Sequence, residues 1–291
     1  DKVRFRQGTP EKIGGWARIS AYEYLGVCRS LWNWLTLGNQ NLLGVGTNLK
    51  FYISQGGAYY DITPVRATTT PGAVTFSASN GSSTITVTSA SHAAEEGDFV
   101  TFSNCSGLGG NITAAVLNQE YEIVTVVDAN TFTFTARTAG TAVDSGAAAV
   151  LADGSDTGNG NFTDSTVDTT SGSTTATMDD TSVLVAGCTI SGTGIPASAT
   201  VASITNATTF ELSAPATATG TNITATINCC TAAYQVNIGP ATVVPLVGWG
   251  SGPWSSGTWG SSTPITEDLR LWHQANFGEV LLFGFRGGQI Y

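Results

Sequence analysis

Charged residues are scarce in this 291-residue chain: Asp, Glu, Lys and Arg together make up 11% of it, against about a quarter of an average soluble domain. Thr, Ser, Gly and Ala take their place. The β-branched residues Thr and Val suit the pleated surface of a sheet better than a helix, and no segment shows a long helical period of apolar residues. The sequence therefore predicts an all-β protein.

Long apolar runs are also lacking. No stretch reaches the roughly 20 apolar residues that a transmembrane helix needs, and no signal peptide is recognisable. We therefore expect no membrane insertion. The chain begins at Asp1 without a methionine, and we expect it to be a piece of a longer protein.

Metal-binding residues are few. There are two histidines and five cysteines, without a Cys-x-x-Cys pair, so a zinc site is not expected. Cys229 and Cys230 are adjacent and would rarely bond to each other. The odd number and the spacing favour buried free thiols in a protein of a reducing compartment.

Basic residues are outnumbered, with 11 Lys and Arg against 21 Asp and Glu, for a formal net charge of −10. Tight wrapping around nucleic acid needs clustered basic residues and is therefore not expected. An acidic wall past which DNA slides without binding is compatible with this charge.

The composition changes near Ala67 and again near Ala233. All seven tryptophans and seven of the eight tyrosines lie outside these limits. We therefore predict an inserted segment within an aromatic-rich host domain, with the host formed by residues 1–66 and 234–291.

The inserted segment contains a repeat of its own. GSSTITVTS at Gly81–Ser89 matches GSTTATMDD at Gly172–Asp180, and VDANTFTFTARTAG from Val127 matches TNATTFELSAPATATG from Thr205. Apolar and hydroxyl residues alternate in both copies, as in half-buried strands. The pattern predicts two tandem β-sandwich or barrel modules of about six strands each, at residues 67–150 and 151–233.

The flanks carry a second repeat. NLLGVGTNLKFY at Asn41–Tyr52 lies over VLLFGFRGGQIY at Val280–Tyr291 without a gap. The first copy belongs to a run of short strands and sharp turns that is typical of one β-propeller blade. We therefore predict a partial propeller-like host domain whose second copy is truncated.

Two segments are candidate interfaces. RFRQGTPEKIGGW at Arg4–Trp16 offers Arg4 and Arg6 as an anion-binding arm, or forms an extended strand whose turns place Trp16 in the core. GWGSGPWSSGTWG from Gly248 spaces Trp249, Trp254 and Trp259 evenly. These rings could stack on sugars, but we expect them to anchor the loop at a blade or subunit boundary.

Catalytic groups are not apparent. His92 and His273 have no identifiable nucleophile partner. Glu95–Glu96 and Glu267–Asp268 are neighbours in sequence, and consecutive residues of a strand point to opposite faces. The segment from Asp153 to Asn161 has oxygen ligands at alternate positions but lacks the closing glutamate of a calcium loop. We expect no enzyme activity and no cofactor.

The segments RFRQGTPEKIGGW, NLLGVGTNLKFYISQGGAYYDITPV and LRLWHQANFGEVLLFGFRGGQIY resemble the N-terminal region of tail nozzle or hub proteins of short-tailed bacteriophages. GDFVTFSNCSGLGGNITAAVLNQEYEIV resembles the small β-domains inserted in such virion proteins. The resemblance implies a propeller-based subunit of a ring, commonly of six copies, around the channel through which DNA leaves. It brings no catalytic residues.

The function expected from the sequence is that of a structural virion protein, made in the bacterial cytoplasm and placed in the tail. Its expected partners are other copies of itself, an adaptor and tail fibres, with DNA passing without specific binding. An alternative is a tail appendage whose β-modules and tryptophan loop bind surface glycans. A propeller glycosidase, the third possibility, would need a convergent pair of carboxylates in a pocket.

Overall fold

The protein is nearly all-β, with 46% of the described residues in strands and 2% in helix, which confirms the fold class expected from composition. The computed structural model describes residues 3–6, 9–12, 21–143, 146–240 and 269–291. The chain divides into two compact units. We call Asp1–Thr63 with Gly239–Tyr291 the flanking unit, and Pro64–Ile238 the central unit.

The strands of the described residues are numbered in chain order. The first part of the flanking unit contains β1 (Val3–Arg6), β2 (Thr9–Lys12), β3 (Cys28–Leu35), β4 (Asn41–Thr47), β5 (Phe51–Gln55) and β6 (Ala58–Asp61). The central unit contains β7 (Val65–Thr68), β8 (Val74–Ala78), β9 (Thr84–Ser89), β10 (Phe99–Ser103), a one-turn helix α1 (Ala114–Leu117), β11 (Glu120–Glu122), β12 (Thr125–Asp128), β13 (Thr131–Thr135), β14 (Phe162–Thr169), β15 (Thr175–Thr177), β16 (Thr189–Gly192), β17 (Val201–Asn206), β18 (Thr209–Leu212), β19 (Gly220–Asn228) and β20 (Thr231–Gln235). The second part of the flanking unit contains β21 (Trp272–Phe277) and β22 (Val280–Phe285).

The flanking unit contains an antiparallel meander in the order β3-β4-β5-β6. Its turns occur where the sequence allows a positive φ: Asn39 has a φ of 59°, and Gly56 and Gly57 have φ values of 60° and 89°. Two successive positive φ values form the hairpin turn that matches the twist of the strands. The expected strand-and-turn pattern of this segment is present.

The second copy of the flanking repeat folds like the first. Strands β21 and β22 form a hairpin, and the backbone N–H and C=O of Tyr291 exchange hydrogen bonds with those of Phe283, at 2.8 and 3.1 Å. The chain thus turns after β22 as it does after β4. The sequence repeat is a repeat of strand-turn-strand structure.

The hairpin packs face to face on the meander. Phe51 stacks on Phe283 with ring centroids 4.2 Å apart and planes 9° from parallel, and the Gln274 amide donates a 2.7 Å hydrogen bond to the Ser30 hydroxyl. Gly44 and Gly46 lack the side chains that would collide with Gln274 and Trp272.

The faces that meet are equivalent in the two copies. In the sequence alignment, Leu42, Gly44 and Gly46 of β4 match Leu281, Phe283 and Phe285 of β22, and both sets point towards the shared core. Successive propeller blades are related by rotation about one axis and bring opposite faces together. Within the described residues, these two sheets are packed as in a sandwich instead.

The central unit contains a module with two four-stranded sheets, β11-β10-β20-β7 and β12-β13-β9-β8. We call this the outer module, formed by residues 64–160 and 230–238. Its core contains aromatic side chains from both sheets, with the rings of Tyr121 and Phe134 4.0 Å apart, and it includes Cys230, Ala232 and Tyr234.

The inner module, residues 161–229, is a single six-stranded sheet in the order β16-β19-β14-β15-β18-β17. Its two end strands approach each other: Ile190 N–H donates to the Ala199 carbonyl at 3.1 Å, and Val201 N–H donates to the Cys188 carbonyl at 2.8 Å. The sheet therefore curls around its own core, which is separate from that of the outer module.

The two modules are nested, which corrects the expected tandem boundary between residues 150 and 151. Strand β20 follows the inner module but pairs with β10 and β7 of the outer module. It occupies the place that β19 has in the inner module, where β19 pairs with β16 and β14. The inner module is thus inserted before the last strand of the outer one.

Four of the five cysteines form disulfides, so the expectation of free buried thiols is wrong for them. Cys105 is bonded to Cys230, and Cys188 is bonded to Cys229. Cys28 is the free cysteine, and partial burial raises the pKa of its thiol.

Candidate interaction surfaces

The residues predicted to form an interface are placed only in part. Arg4 and Arg6 lie in β1, which pairs with β2 so that Arg4 is opposite Glu11 and Arg6 opposite Thr9. Trp16, Trp249, Trp254 and Trp259 lie outside the described residues, and their role as anchors stays a prediction.

The hairpin presents an apolar face on the side away from the meander, which we call the hairpin outer face. Residues alternate along the strands, and the outward positions are cross-strand pairs: Ala275 with Leu282, and Phe277 with Val280. Phe277 is 79% exposed, and Val280 and Leu282 are also exposed. A large aromatic ring that is mostly exposed to water does not gain the hydrophobic free energy that its burial would provide.

A shallow cavity of about 350 Å³ adjoins this face. It is lined by His273, by Leu282 to Phe285 and by Gly288 to Ile290, and Ile290 is 79% exposed. The volume lies at the lower end of the range for small-molecule pockets. Its apolar lining is continuous with the hairpin outer face.

The meander has an apolar edge of its own on β3. Leu31 and Leu35 alternate with Trp32, whose indole N–H donates to the Asn276 amide oxygen of the hairpin. The two leucines therefore point away from the hairpin, and both are exposed. We call Leu31 and Leu35 the meander edge. Leu37, in the following turn, is also exposed, but its backbone N–H donates to the Glu279 carboxylate of the hairpin. The flanking unit thus exposes apolar residues on both sides of its two-sheet stack.

The sequence analysis did not predict the hairpin outer face or the meander edge, although the sequence of β22 indicates an apolar strand. The segment VLLFGF of β22 is apolar at successive positions, which is typical of strands covered on both faces. Only the Leu281, Phe283 and Phe285 side of that strand faces the meander.

His92 is a structural residue of the outer module. Its Nδ1 accepts the N–H of Ala94 at 3.0 Å, so Nε2 carries the proton and donates to the Asp128 carbonyl, also at 3.0 Å. The ring packs against Phe132 and Tyr234. Both nitrogens are engaged, and this neutral tautomer holds the loop before β10 in place.

Asp98 is a buried carboxylate at the end of the outer module. Its oxygens accept N–H groups from Glu95 at 2.9 Å and from Ile238 at 2.8 Å. Burial is the largest effect on this group and raises the pKa of the carboxyl above its usual value. The bond to Ile238 fixes the chain where it leaves the central unit.

The segment from Asp153 to Asn161, whose sequence lacks the closing glutamate of a calcium loop, is a hydrogen-bonded loop. Asp156 is buried, and its carboxylate accepts three backbone N–H groups, from Gly110, Ile112 and Asp153, at 2.9 to 3.0 Å. The Asp156 oxygens therefore already accept hydrogen bonds from the backbone. A calcium site needs several oxygen atoms that point at the ion instead.

The carboxylate pairs do not form a site in the described structure. Glu95 and Glu96 are exposed in a turn, while Glu267 and Asp268 lie outside the described residues. Among the residues that the structure covers, no group of three or more His, Cys, Asp or Glu side chains is placed to hold a metal ion. In the same residues no helix is long and apolar enough to cross a membrane.

Comparison with known proteins returned no matching family model, no matching curated protein and no matching solved structure.

Proposed function

We propose that this protein is a structural component of a bacteriophage tail, of the nozzle or hub type, and that the flanking unit forms the contacts between neighbouring copies. The observation that carries the proposal is the pair of apolar surfaces, the hairpin outer face and the meander edge, on opposite sides of one two-sheet stack. Each lacks a covering partner among the described residues.

Two different apolar surfaces on opposite sides suit head-to-tail association. Such a contact joins one surface of each copy to the other surface of the next, and it produces a ring when the rotation between copies closes. A ring of six around a DNA channel, in contact with an adaptor and tail fibres, is the arrangement that the family resemblance implies. The net charge of −10 would keep DNA from adhering during passage.

The ends of the central unit fit its proposed role as a decoration of the host domain. Strands β7 and β20 are paired, with Val65 opposite Gln235, so the chain enters and leaves side by side. A domain with adjacent ends can be accommodated in a surface turn of its host.

The test is the oligomeric state of the full chain, measured by mass photometry and by analytical ultracentrifugation. We expect a ring-sized species that Leu31→Asp or Phe277→Asp converts to monomers, because each change buries a charge in the contact. Val183→Asp, at an exposed valine of the inner module, is the matched control and should assemble normally. A wild-type protein that stays monomeric at high concentration would refute the proposal.

A tail appendage that binds surface glycans is the alternative. Binding of residues 64–238 to a glycan array, with a full chain that remains monomeric, would favour it.

A further inference from the structure

The adjacent residues Cys229 and Cys230 lie where the chain returns from the inner to the outer module. Consecutive residues of an extended chain point to opposite sides, and the two sulfurs accordingly enter different cores. Cys229 belongs to the core of the inner module with Cys188, and Cys230 belongs to the core of the outer module with Cys105.

Each disulfide continues a β-ladder by about one position. The last paired residues of β16 and β19 are Thr189 and Asn228, and the next residue pair along the ladder is Cys188 and Cys229. In the outer module Ser103 is opposite Thr231, and Cys105 and Cys230 lie just beyond. Both bonds therefore close a ladder at the crossing between modules.

Asn228 fixes this crossing without the help of the disulfides. Its amide oxygen accepts the N–H of Cys230 at 2.9 Å, and its amide nitrogen donates to the Val74 carbonyl at 3.0 Å. The Cys230 carbonyl in turn accepts the N–H of Gly72 at 2.9 Å. The hydrogen bonds can therefore bring the thiols to their partners before any bond forms.

We propose that Cys229 and Cys230 form a redox-controlled clasp that locks the nested modules covalently after they have folded. In the step, two thiol pairs are oxidised by a small-molecule disulfide such as oxidised glutathione. Each pair gives up two electrons and two protons, one protein S–S bond forms, and the small disulfide is reduced to two thiols. The protein loses four hydrogen atoms in all.

The reduced form keeps the fold, because a buried free cysteine packs as a small apolar residue and the hydrogen bonds of Asn228 remain. It is less stable, because the bonds close long chain segments: the partners are 125 residues apart for Cys105–Cys230 and 41 apart for Cys188–Cys229. The clasp is thus open in a reducing cytoplasm and closed in an oxidising medium. This inference is independent of the proposed tail function.

The experiment uses the full chain after treatment with oxidised glutathione or with a phosphine reductant. Alkylation under denaturing conditions and peptide mass spectrometry should find only Cys28 free in the oxidised protein. Reduction should leave the far-ultraviolet spectrum of the protein unchanged and lower its melting temperature by roughly 10 °C or more. Hydrogen exchange of β20 should increase at the same time.

Two paired variants separate the bonds. Cys105→Ala with Cys230→Ala should make β20 insensitive to the reductant, while β19 still responds; Cys188→Ala with Cys229→Ala should do the reverse. Cys28→Ala is the control and should keep the full redox response. If a variant fails to fold, reduction of the folded wild type still tests the two bonds together, through the melting temperature and the exchange of β20.

The proposal is overturned by any of three results. The oxidised protein could alkylate at all five cysteines, its bonds could join Cys105 to Cys229, or reduction could leave the melting temperature and β20 exchange unchanged.

Discussion

The indole N–H of Trp272 donates a 2.7 Å hydrogen bond to the backbone carbonyl of Thr47. This bond ties the first strand of the hairpin, β21, to the end of β4 in the meander. The ring lies over Gly46, where a Cβ atom would come within 2.5 Å of the indole and 2.6 Å of the Ser30 hydroxyl. The glycine therefore provides the space that the tryptophan needs.

We predict that Gly46→Ala destabilises the flanking unit by about 1–3 kcal/mol, because a methyl group must displace a packed ring. The free energy of unfolding of the full chain, followed by tryptophan fluorescence, measures this. Gly38→Ala is the control, since among the described residues a Cβ atom there would approach the Thr36 hydroxyl at 3.7 Å, an ordinary van der Waals contact. Equal stability of the two variants would show that the packing of Trp272 on β4 is not as described.

The nested modules lead to a prediction about fragments. Residues 64–238 should fold alone with one β-type spectrum and cooperative unfolding, because both modules are then complete. Residues 67–150 alone should remain unfolded, since they lack β20, the central partner of β10 and β7.

Residues 161–229 provide the matched fragment, because all six strands of the inner module lie within them. They should fold independently. A folded 67–150 fragment, with protected amides in β10, would contradict the nested arrangement.

Local patterns in the sequence were sufficient to predict the β class and both repeats. The period-two alternation of β9 and β15, and the turns before β13 and β18, lie within a few residues of one another and can be read directly. The repeated segment that begins at Asn41 and again at Val280 can also be recognised from neighbouring residues alone. These features depend on neighbouring residues, whose side chains and turn geometry the sequence specifies.

Long-range pairing could not be read in the same way. Strand β20 joins β10 across more than a hundred residues, and nothing in the TAAYQ segment marks it as belonging to the earlier module. The disulfides depend on that same pairing. Cysteine count and spacing favoured free thiols, whereas the fold brings Cys105 and Cys188 to the adjacent pair Cys229–Cys230. The exposed faces of the flanking unit likewise depend on which side of each strand the other sheet covers.

The Asp156 loop gives a prediction about metal dependence. Asp156→Ala removes the acceptor of three buried or partly buried N–H groups, and we expect a loss of about 2–4 kcal/mol in the stability of the outer module, since unpaired buried donors keep their desolvation cost. Calcium or a chelator should not change the melting temperature of the wild type.

Asp153→Ala is the control for this variant, because its side chain accepts one N–H, from Ser155 at 2.8 Å, in an exposed turn. Its cost should be clearly smaller. A calcium-dependent rise in melting temperature that Asp156→Ala abolishes would show instead that the loop is an ion site.

Asp98 gives the central unit a predicted response to pH. Burial raises the pKa of this carboxyl in the folded protein, so the folded state binds the proton more tightly than the unfolded chain, whose Asp pKa is about 3.9. The stabilisation from protonation is fully present below the unfolded pKa and is lost as the pH rises through the folded pKa. Acidification therefore relieves the cost of this one buried charge.

Asp98→Asn removes the titration but keeps one oxygen acceptor for the N–H of Glu95 or Ile238. We predict that the wild type gains stability relative to this variant as the pH falls from 7 to about 4. The other carboxylates titrate in both proteins, and their effect on stability cancels in the comparison. The measurement is the difference in their free energies of unfolding by urea across that range.

Asp180→Asn, at a fully exposed carboxyl whose pKa is lowered by hydrogen bonds from Ser182, is the control. Because its pKa is lowered, the stabilisation from this group is present above the unfolded pKa of about 3.9 and is lost only at lower pH, so the difference for Asp180→Asn should stay nearly constant from pH 7 to about 4. A difference for Asp98→Asn that is constant with pH, or that falls as the solution is acidified, would show that the Glu95 and Ile238 N–H groups stabilise the charged carboxylate enough to outweigh its burial.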